Sequence, residues 1–172
     1  MIDEILDVVN DSNEIISRES HKKVHEEKLT HRVIMGLLYN EAGEVLLQLR
    51  AANKSAHPSC WSFSYGGHIR HGESSLQALV REAKEEVGVS FKKSDFRYRG
   101  KGEFVEQSGA KVFYEMYDSY YDGPIEEKSE EVDAVQFVTF ADLRQMIEGG
   151  KEKMHPIMVF ILKDLYKDEL SR

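Results

Sequence analysis

Three glutamates near the middle of the chain have types and spacing that suit divalent-metal chemistry. Glu82, Glu85 and Glu86 stand at i, i+3 and i+4, and residues with this spacing share one face of an α-helix. Like charges so spaced repel by roughly 0.2–0.5 kcal/mol per pair, a small cost that a divalent cation would offset. Carboxylates together with substrate phosphates are oxygen ligands that Mg²⁺ and Mn²⁺ prefer. The run therefore predicts three acids pointing into one small volume, where they bind a metal ion.

The segment around these glutamates carries its own signals for a helix with two faces. Apolar residues recur at helical spacing along one stripe, which consists of Leu76, Leu79, Val80, Ala83 and Val87. Ser74 and Gln77 form a capping-box pattern at the start, and Gly88 suits a left-handed residue at the end. The alternative is an ordinary solvated acidic face, which is what most charge runs are. An arginine directly before the glutamates, Arg81, and an upstream glycine in register, Gly67, disfavour that alternative.

Together, the residues from Gly67 to Val89 resemble the signature of the Nudix hydrolase family. The signature is a glycine, five residues, a glutamate, seven residues, and then Arg-Glu-apolar-x-Glu-Glu-x-Gly-apolar. Its fixed positions are here Gly67, Glu73, Arg81, Glu82, Glu85, Glu86 and Gly88. So many matches of fixed type and spacing are far more specific than a lone glycine loop. The resemblance implies an enzyme that uses metal-activated water to cleave a diphosphate linkage, in a nucleoside diphosphate derivative or another small organic diphosphate.

The resemblance also implies a role for each residue of the site. The metal ligands, for Mg²⁺ or Mn²⁺ as cofactor, would be three carboxylates and one backbone carbonyl: Glu82, Glu85, Glu86 and Gly66. Arg81 would orient the catalytic carboxylates through fork-like hydrogen bonds. Glu73 would brace the junction between the loop and the helix.

Outside the signature, the chain resembles the isopentenyl-diphosphate isomerase branch of the family. The shared features are LLQLR (residues 46–50), Lys54, Pro58, Trp61, Gly66-Gly67-His68 and FRYR (residues 96–99). Those isomerases use a cysteine just before the Gly-His pair and a glutamate on a later strand, and here Gly66 and Ser108 stand in their places. Because proton shuttling at carbon needs a positioned acid and base, hydrolysis is favoured over isomerisation. A third hypothesis, a non-catalytic ligand sensor on the same scaffold, is disfavoured by the complete set of glutamates.

Several residues outside the acidic run are candidates for substrate contact: Arg50, Lys54, Tyr65, His68 and Phe113. Arg50 and Lys54 follow a predicted strand and suit phosphate, although plain surface charge is equally frequent. Tyr65 and Phe113 could line a pocket or stack on a base, whereas aromatic residues in strands more often belong to the core. His68 could contact metal or phosphate, as its isomerase counterpart does, or be structural.

Two assignments stay open. The general base is a helix glutamate or one of three loop acids, Glu106, Glu127 and Glu130. His21, His25 and His31 could bind metal, since histidine is a common ligand, and His31 resembles an isomerase ligand position. Their spacings of four and six in a charged segment are more typical of a solvated surface.

The order of predicted elements is that of a layered α/β protein. Strands are predicted at 5–9, 14–17, 32–39, 44–49, 61–65, 96–105, 111–121 and 134–139, and helices at 20–27, within the signature, at 142–147 and at 156–167. This order and the resemblance imply an α/β fold: a Nudix-type α/β/α sandwich with a mixed β-sheet and an N-terminal β-hairpin extension. We expect one domain over residues 1–172, with an extension at 1–30, a core at 31–144 and a C-terminal helical segment at 145–172.

Composition limits the classes of partner. The chain has 172 residues, a formal net charge of −8 and one cysteine, Cys60. An acidic chain does not suit non-specific binding to nucleic acid or to an anionic membrane, and no apolar run is long enough to span a bilayer. A single cysteine excludes an intramolecular disulfide and fits a reducing cytoplasm. The expected partner is a small-molecule diphosphate, with bound metal inverting the local charge. The N-terminal hairpin could also serve as a homodimer interface.

Overall fold

The structure is a computed structural model that describes residues 4–125 and 130–172. Its strands are β1 (Ile5–Val9), β2 (Ile15–Ser20), β3 (His31–Tyr39), β4 (Val45–Arg50), β5 (Trp61–Ser62), β6 (Tyr65–His68), β7 (Arg97–Val105), β8 (Lys111–Tyr120) and β9 (Val132–Val138). Its α-helices are α1 (His21–Glu26), α2 (Ser75–Val87), α3 (Phe140–Gly149), α4 (Pro156–Leu165) and α5 (Lys167–Leu170). None of the helices in these two ranges is long and apolar enough to cross a membrane.

The first two strands form the N-terminal hairpin that the sequence predicts. β1 and β2 pair antiparallel across a turn in which Asn10 Oδ1 accepts hydrogen bonds from the backbone N–H groups of Ser12 and Glu14, each at 2.9 Å. The hairpin leads directly into α1, where Ser20 Oγ accepts a hydrogen bond from the backbone N–H of Lys23. Val24 on α1 packs against the inner side chains of β1. The extension is therefore anchored by its own small core.

A mixed sheet forms the centre of the fold. β3 pairs in parallel with β8 and antiparallel with β6, and it meets β4 at the hairpin end. β8 continues antiparallel to β7, while β4 pairs with both β5 and β9. The predicted mixed sheet is confirmed.

Helices cover both faces of this sheet, because side chains along β3 alternate between two apolar clusters. Val33 and Leu37 join the cluster that contains residues of α3 and α4. Ile34 and Leu38 join the cluster on the opposite face, which α2 covers with four buried side chains: Ala78, Leu79, Ala83 and Val87. This arrangement is an α/β/α sandwich, as predicted.

One predicted strand is wrong in its boundaries. The segment predicted as a single strand at 61–65 is two short strands, because the chain changes partner from β4 to β3 between them. Ser64 lies at this change: its hydroxyl donates to the Leu46 carbonyl at 2.6 Å and accepts from the Leu38 N–H at 2.7 Å. The change of partner carries β6 and its glycines across to α2, where the two elements pack against each other.

Candidate active site

Local capping fixes where α2 begins and therefore which side chains face β6. Ser74 Oγ accepts from the Gln77 N–H at 3.3 Å, and Gln77 Oε1 accepts from the Ser74 N–H at 2.9 Å, which is the predicted capping box. Gly88 ends the helix with φ of +72°, the left-handed region that a glycine adopts at little cost. With both ends fixed, Glu82 and Glu86 lie on the buried side of α2.

The two buried glutamates lie against a glycine pair in β6. Glu86 is 4% exposed, and its Oε2 accepts hydrogen bonds from the Gly66 N–H at 2.9 Å and from Gln48 Nε2 at 3.0 Å. Glu82 is 8% exposed and lies so close to Gly67 that a Cβ there would be 2.7 Å from Glu82 Cδ. Glycine at position 67 is therefore what allows this carboxylate to pack against β6.

Arg81 connects this pair to the loop before the helix. Its Nε and Nη2 donate to the two carboxylate oxygens of Glu73, at 2.8 and 2.9 Å, in a bidentate pair. Its Nη1 donates to Glu82 Oε1 at 2.5 Å, and its Nη2 also donates to the His68 carbonyl at 3.0 Å. Glu73 in turn accepts from the Arg70 N–H at 3.1 Å. The guanidinium thus ties loop, strand and helix together, in the geometry expected of a positioning group.

Glu85 is set apart from the buried pair, contrary to the expectation that all three acids point into one small volume. Its side chain is 50% exposed and lies 3.3 Å from Arg81 Nη1 and 3.7 Å from Arg70 Nη2. Within residues 4–125 and 130–172, one set of three side chains brings its possible metal-ligand atoms within 4.8 Å of one another. These side chains are His21, His25 and His68, not the glutamates. Glu85 thus shares Arg81 Nη1 with Glu82 but lies half-exposed at the rim, so its role as a third ligand stays a prediction.

Burial changes the acidity of the glutamate pair. It raises the pKa of Glu82 to about 7, although the charge and hydrogen bonds of Arg81 act in the opposite direction. It raises the pKa of Glu86 to about 8, with the charge of Glu82 adding to the rise and the Gly66 and Gln48 hydrogen bonds opposing it. Gln48 Oε1 beside this pair is buried and has no hydrogen-bond partner. Two adjacent buried carboxylates and an unpartnered amide oxygen are a hard oxygen donor set, which fits Mg²⁺ or Mn²⁺.

These pKa shifts predict that the metal-free protein loses stability as the pH rises from about 6.5 to 8. In that window the folded state keeps protons on Glu82 and Glu86 that the unfolded chain, with an ordinary glutamate pKa of 4.5, has already released. At roughly 1.4 kcal/mol per pKa unit, the free energy of unfolding should fall by about 2 kcal/mol. At lower pH the free energy of unfolding rises with pH through the histidines whose pKa is lowered by burial, including His31.

Urea unfolding in EDTA at a series of pH values measures this fall in the free energy of unfolding between pH 6.5 and 8. Glu86→Gln should remove most of it, and added Mg²⁺ should flatten it by stabilising the ionised pair. An unfolding free energy that rises over the same window in EDTA would contradict the prediction.

The two basic substrate candidates are already engaged with the protein. Arg50 donates to the carbonyls of Ala56 and His57, at 3.1 and 3.3 Å, and so holds the loop after β4. Lys54 Nζ lies 2.7 Å from Glu131 Oε2. Lys54 remains a candidate for phosphate contact, whereas the geometry of Arg50 is that of a loop brace.

Of the aromatic candidates, Tyr65 is a core residue. It is fully buried, its hydroxyl shares a 2.7 Å hydrogen bond with Ser119 Oγ, and its ring packs near Phe91. The prediction of substrate contact is therefore wrong for Tyr65. Phe113 is half-buried on β8 with Lys111 Nζ 5.0 Å from its ring centroid, and it stays a candidate.

The three loop acids that are candidates for the general base do not lie together. Glu106 acts on the histidines, where its charge raises the pKa of His25 and His31 against the larger effect of burial. Glu130 is exposed at the turn before β9, and Glu127 lies outside the described residues. Among the loop acids that the structure describes, Glu131 acts on both buried glutamates, because its charge raises the pKa of each. Sequence reasoning missed Glu131, which belongs to no motif, and Gln48, which lies in the LLQLR stretch but was not singled out there.

The histidines are not a solvated surface, contrary to expectation. His21, His25, His31 and His68 lie in one cluster, with His25 Nε2 3.1 Å from His68 Nε2 and with His31 only 1% exposed. Burial lowers the pKa of His25, His31 and His68. His68 belongs to both regions, because its backbone carbonyl accepts from Arg81 while its ring faces the histidines.

Comparison with known proteins shows the family to which the chain belongs. The NUDIX domain family model matches residues 29–158. The chain is 30% identical to an isopentenyl-diphosphate Delta-isomerase from Serratia proteamaculans, over 99% of this chain and 96% of that protein. It is also 30% identical to an uncharacterised Nudix hydrolase from Listeria innocua, over 94% and 92%. The fold is similar to the crystal structure of DR0079 from Deinococcus radiodurans, with a TM-score of 0.78 and 21% identity over 93% of this chain and 98% of that one. With this match over most of its length, the chain belongs to the Nudix hydrolase family.

Proposed function

We propose that this protein is a metal-dependent hydrolase that cleaves a diphosphate linkage by attack of water on phosphorus. The observation that carries the proposal is the buried pair Glu82 and Glu86, packed against two glycines and held by Arg81. Burying two carboxylates side by side is costly unless a cation offsets their charge. The proposed substrate is a nucleoside diphosphate derivative or another small organic diphosphate.

The residues that would hold Mg²⁺ or Mn²⁺ are Glu82, Glu86, the Gly66 carbonyl and, from the rim, Glu85. A bound ion would neutralise phosphate charge, orient the diphosphate and lower the pKa of a coordinated water. The protein itself holds the glutamate ligands in fixed positions. Gln48 and the Gly66 N–H hold one oxygen of Glu86, and Arg81 holds Glu82 in place against Glu73. This fixed geometry lowers the reorganisation needed when charge develops on the phosphate oxygens.

Glu131 is the loop acid that we propose as general base. Its side chain lies beside Lys54 and within electrostatic range of both buried glutamates. A base that lies near the metal ligands can take the proton of the attacking water, and such proton transfer contributes typically 10²–10⁴-fold to rate.

Glu131→Gln is expected to lower kcat by about a hundredfold or more with little change in KM, because substrate binding does not need this proton acceptor. Steady-state kinetics of the parent and the variant, with substrate varied at one pH, measure the effect on kcat and KM. Glu130→Gln, at the neighbouring exposed position, is the matched control and should behave as the parent protein. An unchanged kcat in Glu131→Gln would rule out this role.

A substrate screen with product analysis tests the proposed function directly. Nucleotide sugars, nucleoside di- and triphosphates, dinucleotides, coenzyme A and prenyl diphosphates are incubated with Mg²⁺ or Mn²⁺ in ¹⁸O-labelled water. We expect turnover of at least one diphosphate, with ¹⁸O in a phosphate product, and loss of that turnover in EDTA. Turnover without ¹⁸O in any phosphate, or no turnover of any diphosphate with either ion, would contradict the proposal.

A second candidate function is isomerisation of isopentenyl diphosphate, favoured by the 30% identity to an isomerase over nearly the whole chain. The position that the isomerase cysteine would occupy is Gly66, where a Cβ would lie 2.6 Å from the Ile34 carbonyl oxygen and 3.1 Å from Met35 Cα. This backbone leaves no room for a nucleophilic or proton-transferring side chain there. Deuterium exchange into isopentenyl diphosphate without phosphate release would nevertheless revive this candidate.

A further inference from the structure

Two grooves of opposite charge border α3. One, here called the acidic groove, has a volume of about 740 Å³ and lies between α3, β9 and the segment before α4. The other, here called the basic groove, has a volume of about 450 Å³ and lies between α3, α4 and α5. Neither groove is lined by the buried glutamates or by the clustered histidines, so both lie outside the site already described.

Helical periodicity puts the two grooves on opposite sides of α3. Asp142 and Met146, four residues apart, line the acidic groove, whereas Arg144 and Ile147, three residues apart, line the basic groove. Residues at these spacings share a helix face, and the step from Asp142 to Arg144 turns about 200° around the helix axis. Glu148 is exposed and lines both grooves, so it lies on the outer ridge of the helix between them.

The charges that line the grooves are equal in size and opposite in sign. The acidic groove has three carboxylates and one ammonium group, for a net charge of −2: Asp142, Glu148, Glu152 and Lys151. The basic groove has three cationic groups and one carboxylate, for a net charge of +2: Arg144, Lys163, Lys167 and Glu148. Within residues 4–125 and 130–172, none of these side chains forms an ion pair. The protein therefore does not neutralise these charges within the part of the chain that the structure describes.

Apolar side chains lie among these charges in both grooves. Trp61, Phe137 and Met146 are only partly buried in the acidic groove, as are Ile147 and Leu170 in the basic groove. Aromatic residues and methionine are enriched where proteins contact one another. A pocket for a small molecule buries most of its ligand, whereas most of the charged side chains here are exposed. The grooves therefore suit the surface of another protein better than a small ligand.

We propose that the two grooves form the interface of a homodimer, in which the acidic groove of each chain packs against the basic groove of a second copy. A two-fold axis that runs along α3 exchanges the two sides of this helix, so each groove lies opposite the groove of opposite charge. Both contacts then form at once, and the interface closes as in other isologous dimers. A different partner would have to reproduce this spacing of opposite charges, whereas a second copy necessarily carries it.

The charge pattern determines which faces meet. A single exposed ion pair contributes little, but several opposed charges orient two surfaces and disfavour contacts between like charges. Two copies of a chain with a net charge of −8 repel each other in general, and the basic groove offsets this repulsion locally. The proposal does not depend on the proposed hydrolase activity, and it uses a face of the fold other than the N-terminal hairpin.

Sedimentation velocity of the full chain, over about a hundredfold range of protein concentration, tests for the dimer without any activity measurement. We expect a monomer at the lowest concentrations and a dimer at the highest. Raising NaCl from about 0.05 to about 0.5 M should weaken the association on the order of tenfold, because salt screens exposed charges.

Charge reversal tests the pairing of the two grooves. Lys163→Glu with Lys167→Glu changes the net charge of the basic groove from +2 to −2, and Gln145→Lys with Glu152→Lys changes that of the acidic groove from −2 to +1. Each double variant should dimerise on the order of a hundredfold more weakly, because like charges then face each other. An equimolar mixture of the two should form a dimer again, since every groove meets its opposite charge. That recovery also shows that both variants are folded.

A control and three outcomes decide the matter. Lys92→Glu with Lys93→Glu makes the same change in net charge at exposed lysines that line neither groove, and it should dimerise as the parent does. A parent chain that stays monomeric at the highest concentration would overturn the proposal, as would a mixture of the groove variants that stays monomeric. A dimer that survives both groove variants but is lost in Ile16→Asp, at a hairpin residue that is 63% exposed, would place the interface at the hairpin instead.

Discussion

Glu86→Gln is expected to abolish metal-dependent turnover while the fold stays intact. The substitution removes a negative charge but keeps the shape of a side chain that is 4% exposed, and the new amide oxygen can still accept from the Gly66 N–H and Gln48 Nε2. We expect kcat/KM to fall on the order of a thousandfold or more, which corresponds to about 4 kcal/mol of transition-state stabilisation. Mn²⁺ affinity, measured by calorimetry, should fall in parallel.

A stability measurement distinguishes this loss from misfolding. Since the pKa of Glu86 is raised to about 8, the folded state carries a proton there at neutral pH when metal is absent, and a neutral amide is a close substitute. The variant should therefore unfold at the same urea concentration as the parent, or a higher one, in EDTA at pH 8. Glu148→Gln, an exposed position on α3, is the control that changes charge without touching the site. Retained turnover in Glu86→Gln would refute the assignment of Glu86 as a ligand.

The features that could be predicted are those marked by a local sequence pattern. The limits of α2 follow from Ser74, Gln77 and Gly88, and all three perform the capping roles expected of them. The spacing of Glu82, Glu85 and Glu86 and their match to the Nudix signature assigned all three to the site, where Glu82 and Glu86 are buried and Glu85 is half-exposed. The order of the predicted strands and helices, together with the family resemblance, likewise predicts the layered sandwich.

The parts that could not be predicted depend on contacts between distant segments. Tyr65 was given the wrong surroundings because the strand boundary that orients it depends on the change of partner at Ser64. Glu131 pairs with Lys54, which is 77 residues away in the sequence, and no local pattern predicts that contact. His25 and His68 are 43 residues apart, and they meet through α1, whose Val24 packs on β1. In each case tertiary packing, which has no local signature, decides which groups meet.

Gly67→Ala is expected to disable the site through one methyl group. A Cβ at this position would lie 2.7 Å from Glu82 Cδ, and Arg81 Nη1 already holds Oε1 of that carboxylate. The carboxylate must therefore move away from β6, and a misplacement of about 1 Å in a catalytic constellation costs on the order of a hundredfold. We expect kcat/KM to fall by about a hundredfold to a thousandfold, with a loss of roughly 1–3 kcal/mol in the free energy of unfolding from overpacking.

A double-mutant cycle shows whether the effect passes through Glu82. Glu82→Ala removes the atoms that the new methyl group would meet, so adding Gly67→Ala to that background should change activity and stability little. Gly149→Ala is the matched control, because a Cβ there meets no atom within 4 Å and should leave both quantities near the parent values. If Gly67→Ala lowered activity equally in the presence and absence of the Glu82 side chain, the glycine would act on the backbone of β6 instead. The close approach of strand and carboxylate would then be incidental to catalysis.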